Sequence, residues 1–244
     1  MIIDACVFVG ESLHRNTLSL EEYGLTMTRL GIDRAVVRPL LPPDYNFDRA
    51  NRELAENIKC DERFIGFGRV NPWEKTAAEQ IKRIAEYGLR GVHLHPWEET
   101  YPIHADMVDD SISAAQEMKL PIYVSTGYPN VSEPLQLLEM ALRFPNATFI
   151  ATHAAQLDIS GGSIDDALFV ALDAPNVLFD LSGVYRRDFI ERMLAAGDGK
   201  KIIYGSCAPY MDPLLEIERV KAIQVSDEQK EDVFSRNISR VLGL

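Results

Sequence analysis

A chain of 244 residues is long enough for one α/β barrel, which typically takes about 250 residues, or for two ordinary domains. Apolar residues make up 46% and charged residues 25%, the balance of a globular protein with a sizeable core. A formal charge of −12 argues on electrostatic grounds against nucleic acid and anionic membrane as partners.

Short apolar runs alternate with amphipathic stretches eight times. In chain order the predicted strands are Ile2–Phe8, Ala35–Arg38, Phe64–Val70, Gly91–His95, Pro121–Ser125, Thr148–His153, Val177–Leu181 and Lys201–Gly205. The predicted helices are Ser19–Leu30, Asp48–Ile58, Lys75–Tyr87, Ala105–Met118, Pro134–Arg143, Ser163–Leu172 and Asp188–Ala196, with a double helical tail from Pro213. Gly31, Gly88, Pro145 and Gly197 supply stop signals after periodic stretches. Alternation of Val- and Ile-rich strands with helices of about ten residues or more implies parallel βαβ units. Eight of them favour closure into a single (β/α)8 TIM barrel over residues 1–244. No glycine-rich phosphate loop follows the first strand, where an open doubly wound sheet would carry one.

The three cysteines, Cys6, Cys60 and Cys207, are widely spaced and odd in number, which points to free thiols in a reducing compartment. No basic stretch leading into an apolar run opens the chain, and no run reaches the roughly 18 apolar residues of a membrane span. A cytoplasmic location is the expectation.

Barrel chemistry sits at the C-terminal strand ends. With strict alternation of faces, Ile3, Ala5 and Val7 are expected against the helices and Asp4, Cys6 and Phe8 inside. Val92 and Leu94 are expected outside, and His93, His95, Tyr123 and Ser125 inside. His153 ends the sixth strand, Asp180 and Ser182 the seventh, and Cys207 follows the eighth. Arg38 and Arg69 close the second and third. His153 is the expected acid/base, with His93 as a second catalytic candidate, since imidazole titrates near neutrality. Arg38 and Arg69 are candidates to grip a carboxylate or phosphate, or else to pair with Asp4, Asp180 or Glu98. His95 either assists in the site or orients its loop. Tyr123, Tyr128 and Trp97 are candidate pocket walls or packing, and Glu98 and Glu99 are expected to be solvated. His14 and His104 carry little signal.

Several segments together resemble the amidohydrolase-related family that includes aminocarboxymuconate-semialdehyde decarboxylase. They are Ile2-Ile3-Asp4-Ala5, Gly66-Phe67-Gly68-Arg69-Val70-Asn71-Pro72, Gly88 to Pro96, Leu120 to Val124, Thr152-His153-Ala154, Ile203-Tyr204-Gly205-Ser206 and the tail Asn237 to Leu244. The resemblance implies a TIM barrel, a hydrolase or decarboxylase acting on a small anionic molecule, and a homodimer, for which the sequence shows no interface signature. It also implies a zinc site of histidines and an aspartate, yet the matching positions carry Cys6, Phe8, Ser125 and Cys207, and only His153 is retained. The family's usual metal site is therefore not expected, and no cofactor is assigned. An atypical zinc set of Cys6, Cys207, His93 and His153 is the alternative, because thiolate and imidazole both suit zinc. Cys6 and Cys207 read first as space-filling thiols, with a redox pair as a further alternative. The competing view of the whole chain is a catalytically silent barrel that binds a metabolite or a protein.

Overall fold

The computed structural model describes residues 1–157, 161–196 and 199–244; Gly197, one of the expected stops, lies outside them. Eight parallel strands form the barrel: β1 (Ile3–Glu11), β2 (Arg34–Pro39), β3 (Phe64–Gly66, continued after Phe67 as Gly68–Arg69), β4 (Val92–Leu94), β5 (Ile122–Val124), β6 (Phe149–Ala151), β7 (Val177–Asp180) and β8 (Ile202–Ile203). Each pairs with the next. The ring closes where Ala5 N–H donates to Tyr204 O at 3.0 Å and Phe8 N–H to Ala208 O at 2.8 Å. Main-chain pairing at this seam is sparse, and side-chain bonds supplement it.

The crossover helices are α1 (Leu20–Leu30), α2 (Phe47–Asn57), α3 (Ala77–Glu86), α4 (Asp109–Glu117), α5 (Pro134–Arg143), α6 (Gly161–Asp173) and α7 (Arg187–Ala196); α8 (Pro213–Lys221) follows β8. Local chemistry sets their ends. Ser19 and Glu22 form a reciprocal capping box at the start of α1, and Gly31 ends it with a left-handed φ of 70°. The chain finishes in helical turns up to Leu242, from which Ile238 and Leu242 join the barrel's interior cluster. Asn237 holds this tail against β8, donating to Ile202 O at 2.8 Å and Gly199 O at 2.6 Å.

Parity sorts the two apolar layers along most strands. Val92, Leu94, Ile122, Val124 and Phe149 pack with the helices, whereas Tyr123, Ile150, Leu178 and Ile203 fill the barrel. β1 breaks the rule. Asp4 pairs with Ala35 but Val7 with Val37, so β1 carries one extra residue, a β-bulge. Ile3, Ala5, Cys6 and Phe8 all lie in the interior cluster. Asp4 instead meets the α1 side, accepting from the Tyr23 hydroxyl and from Ser206 N–H at 2.9 Å. The expected placements of Asp4 inside and of Ile3 and Ala5 outside are thus corrected. A pattern of period two carries no mark of an inserted residue.

Candidate active site

Two layers make up the barrel mouth. The lower layer is fully buried. Arg38 donates to the bulge carbonyl of Ala5 at 2.6 Å and lies 3.6 Å above the Tyr123 ring centroid and 5.1 Å from that of Phe8. Its Nε and Nη1 find no hydrogen-bond partner, so ring faces supply much of its stabilisation. Tyr123 donates to Asp180 Oδ2 at 2.6 Å. His93 shares a hydrogen bond with Ser125 Oγ at 3.0 Å and sits edge-on to Phe8, with 5.3 Å between ring centroids.

Arg69 has its own counter-ions. It donates through Nε to Glu99 at 2.7 Å and through Nη2 to Glu98 at 2.6 Å. The Glu98 and Glu99 side chains are 10% and 0% exposed, so the expectation of solvated glutamates is corrected: a buried guanidinium draws them in. Trp73 pins the same loop, its indole N–H donating to Glu99 O at 2.9 Å.

Above this layer lies a cavity of about 270 Å³ whose lining includes Phe8, His95, Ser125, His153 and Cys207, with Trp97, Tyr128 and Tyr210 as aromatic walls. Trp97 and Tyr128 stack with centroids 5.5 Å apart at 12°. A dry cavity of about 150 Å³ accommodates benzene, so this space suits one substituted ring. Arg38, Arg69 and His93 are not among its lining residues, and Phe8, which is, packs on Arg38 and His93. His14, which the sequence did not single out, does line it. His14 sits in the tight turn, residues 12–16, of a hairpin in which Glu11 pairs with Thr17 and Ser12 N–H donates to Asn16 O at 2.8 Å. A larger cavity of about 730 Å³ lies beside α1 and α2, but among the described residues its one lining cation, Arg49, is consumed by Asp44 and Glu53, and no imidazole or thiol faces it.

His153 follows β6 in a turn where His153, Ala154 and Ala155 take left-handed φ values of 54°, 49° and 63°. Such backbone costs of order 1–3 kcal/mol per residue and persists only when its surroundings hold it. Thr126 holds it, donating from N to Thr152 Oγ1 at 2.9 Å and from Oγ1 to Thr152 O at 2.7 Å. The His153 ring is oriented by Ser182, whose carbonyl lies 2.8 Å from Nδ1. A carbonyl only accepts, so Nδ1 carries the proton and Nε2 keeps its lone pair. Asp180 anchors the acceptor, taking Ser182 N–H at 2.7 Å and Ser182 O–H at 3.0 Å. Burial lowers the His153 pKa, only partly offset by Asp180. The ring is neutral at pH 7. His95 has the opposite tautomer: its Nδ1 accepts Glu98 N–H at 3.2 Å, so Nε2 carries the proton.

A family model described as Amidohydrolase matches residues 12–244. The chain belongs to the amidohydrolase family. No curated protein sequence matches it. Among solved structures, the amidohydrolase-family chain is similar to 5-carboxyvanillate decarboxylase of Sphingomonas paucimobilis, with TM-score 0.80 and 15% identity over 100% of this chain and 99% of that one. It is similar to 5-carboxyvanillate decarboxylase of Novosphingobium aromaticivorans, which is complexed with manganese and 4-hydroxy-3-methoxy-5-nitrobenzoic acid; the TM-score is 0.81 and the identity 18% over 100% and 96%. Dihydroxybenzoate decarboxylase of Rhizobium aligns at TM-score 0.77 and 14% identity over 99% and 98%. These likenesses establish the barrel.

The side chains of this member of the amidohydrolase family do not fit a manganese site. Phe8 offers no donor, Ser125 Oγ is engaged by His93, and Cys6 and Cys207 are soft thiols, whereas manganese favours carboxylate and imidazole. Among the described residues no group of three or more His, Cys, Asp or Glu could hold a metal, which leaves the atypical zinc set without support. No helix among the described residues is long and apolar enough to cross a membrane.

Buried ionisable groups set a pH profile for stability. Burial raises Glu99 and Glu216 from 4.5 to about 7, and Asp4 from 3.8 to about 6. These carboxyls bind protons more tightly folded than unfolded, so stability rises as pH falls from 8 to about 6.5, by up to about 1.4 kcal/mol per group and pH unit. His93, His95 and His153 are lowered from 6.5 by burial, so below that pH the unfolded chain takes up protons first and the gain is cancelled. The expected urea midpoint rises between pH 8 and 6.5 and then levels off. A midpoint that falls over that interval would contradict these assignments.

Proposed function

We propose that this amidohydrolase-family protein hydrolyses a small, flat, single-ring molecule carrying an acyl group, with His153 as general base. The observation that carries the reading is the Nδ1–Ser182 O bond, which leaves the unprotonated Nε2, unpartnered among the described residues, available to the cavity. Water would attack the acyl carbon while its proton passes to Nε2; the resulting imidazolium would then return a proton to the leaving group. A carbon–carbon lyase reaction is the less favoured reading, because a ring that stays neutral at pH 7 is a poor donor to a ring carbon. Trp97 and Tyr128 supply flat walls for the substrate.

Among the described residues no Lys or Arg lines the cavity, so an anionic substrate would keep its charge toward solvent or be met by neutral donors such as Ser125 and the Nε2–H of His95. The Phe8 floor favours a second reading, a silent binding barrel, since it closes the strand-1 end where relatives would place polar groups. Turnover on a panel of phenyl esters, aryl lactones and hydroxybenzoates separates the readings. Hydrolysis should release acid bearing oxygen from labelled solvent water. Carbon dioxide release alone would support the lyase, and saturable binding without turnover the silent barrel.

A further inference from the structure

Neither thiol at the closing seam is used by the acid–base reading, and their placement suggests separate chemistry. Val7 bridges Ala208 in parallel, and Phe8 N–H donates to Ala208 O at 2.8 Å. Cys6 and Cys207, one residue earlier on each side, therefore face each other across the seam. Neighbouring strands lie about 4.8 Å apart, inside the 4.4–6.8 Å range of Cα separations that a disulfide spans. Both side chains belong to the interior cluster, and both are free. Their exposures differ in a useful way: Cys207 lines the cavity at 5% exposure, and Cys6 lies behind it at 0%. His153 lines the same cavity wall as Cys207. Burial and the neighbouring Cys207 push the Cys6 thiol well above its ordinary pKa, and the Arg38 guanidinium opposes them only in part, so Cys6 waits as a thiol.

We propose that Cys207 and Cys6 form a peroxide-reactive dithiol site, in which Cys207 is oxidised by a small hydroperoxide entering the cavity and Cys6 resolves it to a disulfide. The Cys207 sulfur attacks the hydroperoxide's terminal oxygen, the O–O bond breaks, and an alcohol (water, from hydrogen peroxide) leaves, giving a sulfenic acid. The Cys6 sulfur then attacks that sulfur, the S–S bond forms, and hydroxide leaves to combine with the Cys6 proton as water. In sum, two thiols and one hydroperoxide give one disulfide, one alcohol and one water; the thiol pair loses the two electrons that the peroxide gains.

The test uses the folded chain with exposed Cys60 replaced, C60S, so that the pair are its remaining thiols. After brief hydrogen peroxide treatment, the protein is denatured, alkylated and weighed. The expected result is loss of two hydrogen atoms, protection of both thiols from alkylation, a linked peptide pair containing Cys6 and Cys207, and full reversal by dithiothreitol. Adding C6S should convert the product to a Cys207 carrying one or more oxygen atoms. The proposal is overturned if, in the C60S protein, Cys207 accumulates oxygen while Cys6 remains alkylatable. It is equally overturned if both thiols remain alkylatable under conditions that oxidise Cys60 in the unmodified chain.

Discussion

His153→Gln is expected to lower kcat for the hydrolysed substrate by about 10²–10⁴-fold, the usual contribution of a positioned general base, with little change in KM. Glutamine keeps much of the imidazole's reach and can still donate to Ser182 O, so the β6 turn and the ring's packing space survive. What it cannot do is accept a proton at the position of Nε2. Fold and catalysis are thereby separated: the urea midpoint should move little while turnover collapses. In the unaltered protein, kcat/KM for the proposed hydrolysis should be flat at neutral pH and fall on the acid side below the ordinary histidine value, because burial lowers the pKa of His153 and only the unprotonated ring is a base. Unchanged turnover in the glutamine variant would remove His153 from the mechanism.

Arg69→Met is expected to destabilise the fold by about 3–5 kcal/mol, the typical cost of removing one partner from a buried ionic cluster. At roughly 2–4 °C per kcal/mol for a chain of this size, Tm should fall by about 10 °C or more. The reason is Glu99, whose side chain is fully buried and whose charge is opposed by Arg69. Without the guanidinium Glu99 must either stay charged in a low-dielectric site or take up a proton. The loss should therefore shrink as pH falls toward 5, and it should shrink again in the double variant Arg69→Met, Glu99→Gln. A single-variant loss under about 1 kcal/mol, or a loss that grows on acidification, would show that the cluster is not the buried charge network described. The same reasoning explains why Arg69 cannot serve as a substrate clamp while its two glutamates hold it.

The alternation of strands and helices, the stops at Gly31 and Gly88, and the inward face of His93 and Tyr123 were all legible in the residues. Each depends on local period or local backbone freedom, and eight βα units leave little besides a closed barrel. Part of the mouth was legible too: His153, Phe8, Ser125 and Cys207, all placed at strand ends by the sequence, line one cavity. Closure decided the rest. Only paired strands reveal the extra residue in β1 that turns Asp4 toward Tyr23 and brings Ala5 and Cys6 into the same interior. Only packing shows Phe8 lying over Arg38 and His93, so that two expected ligand groups sit beneath the cavity floor. The Arg69–Glu98–Glu99 cluster and the facing thiols of β1 and the β8 loop join positions about 30 and about 200 residues apart. Periodicity acts over one turn or one pleat, whereas a buried charge takes whichever partner the closed ring brings within reach.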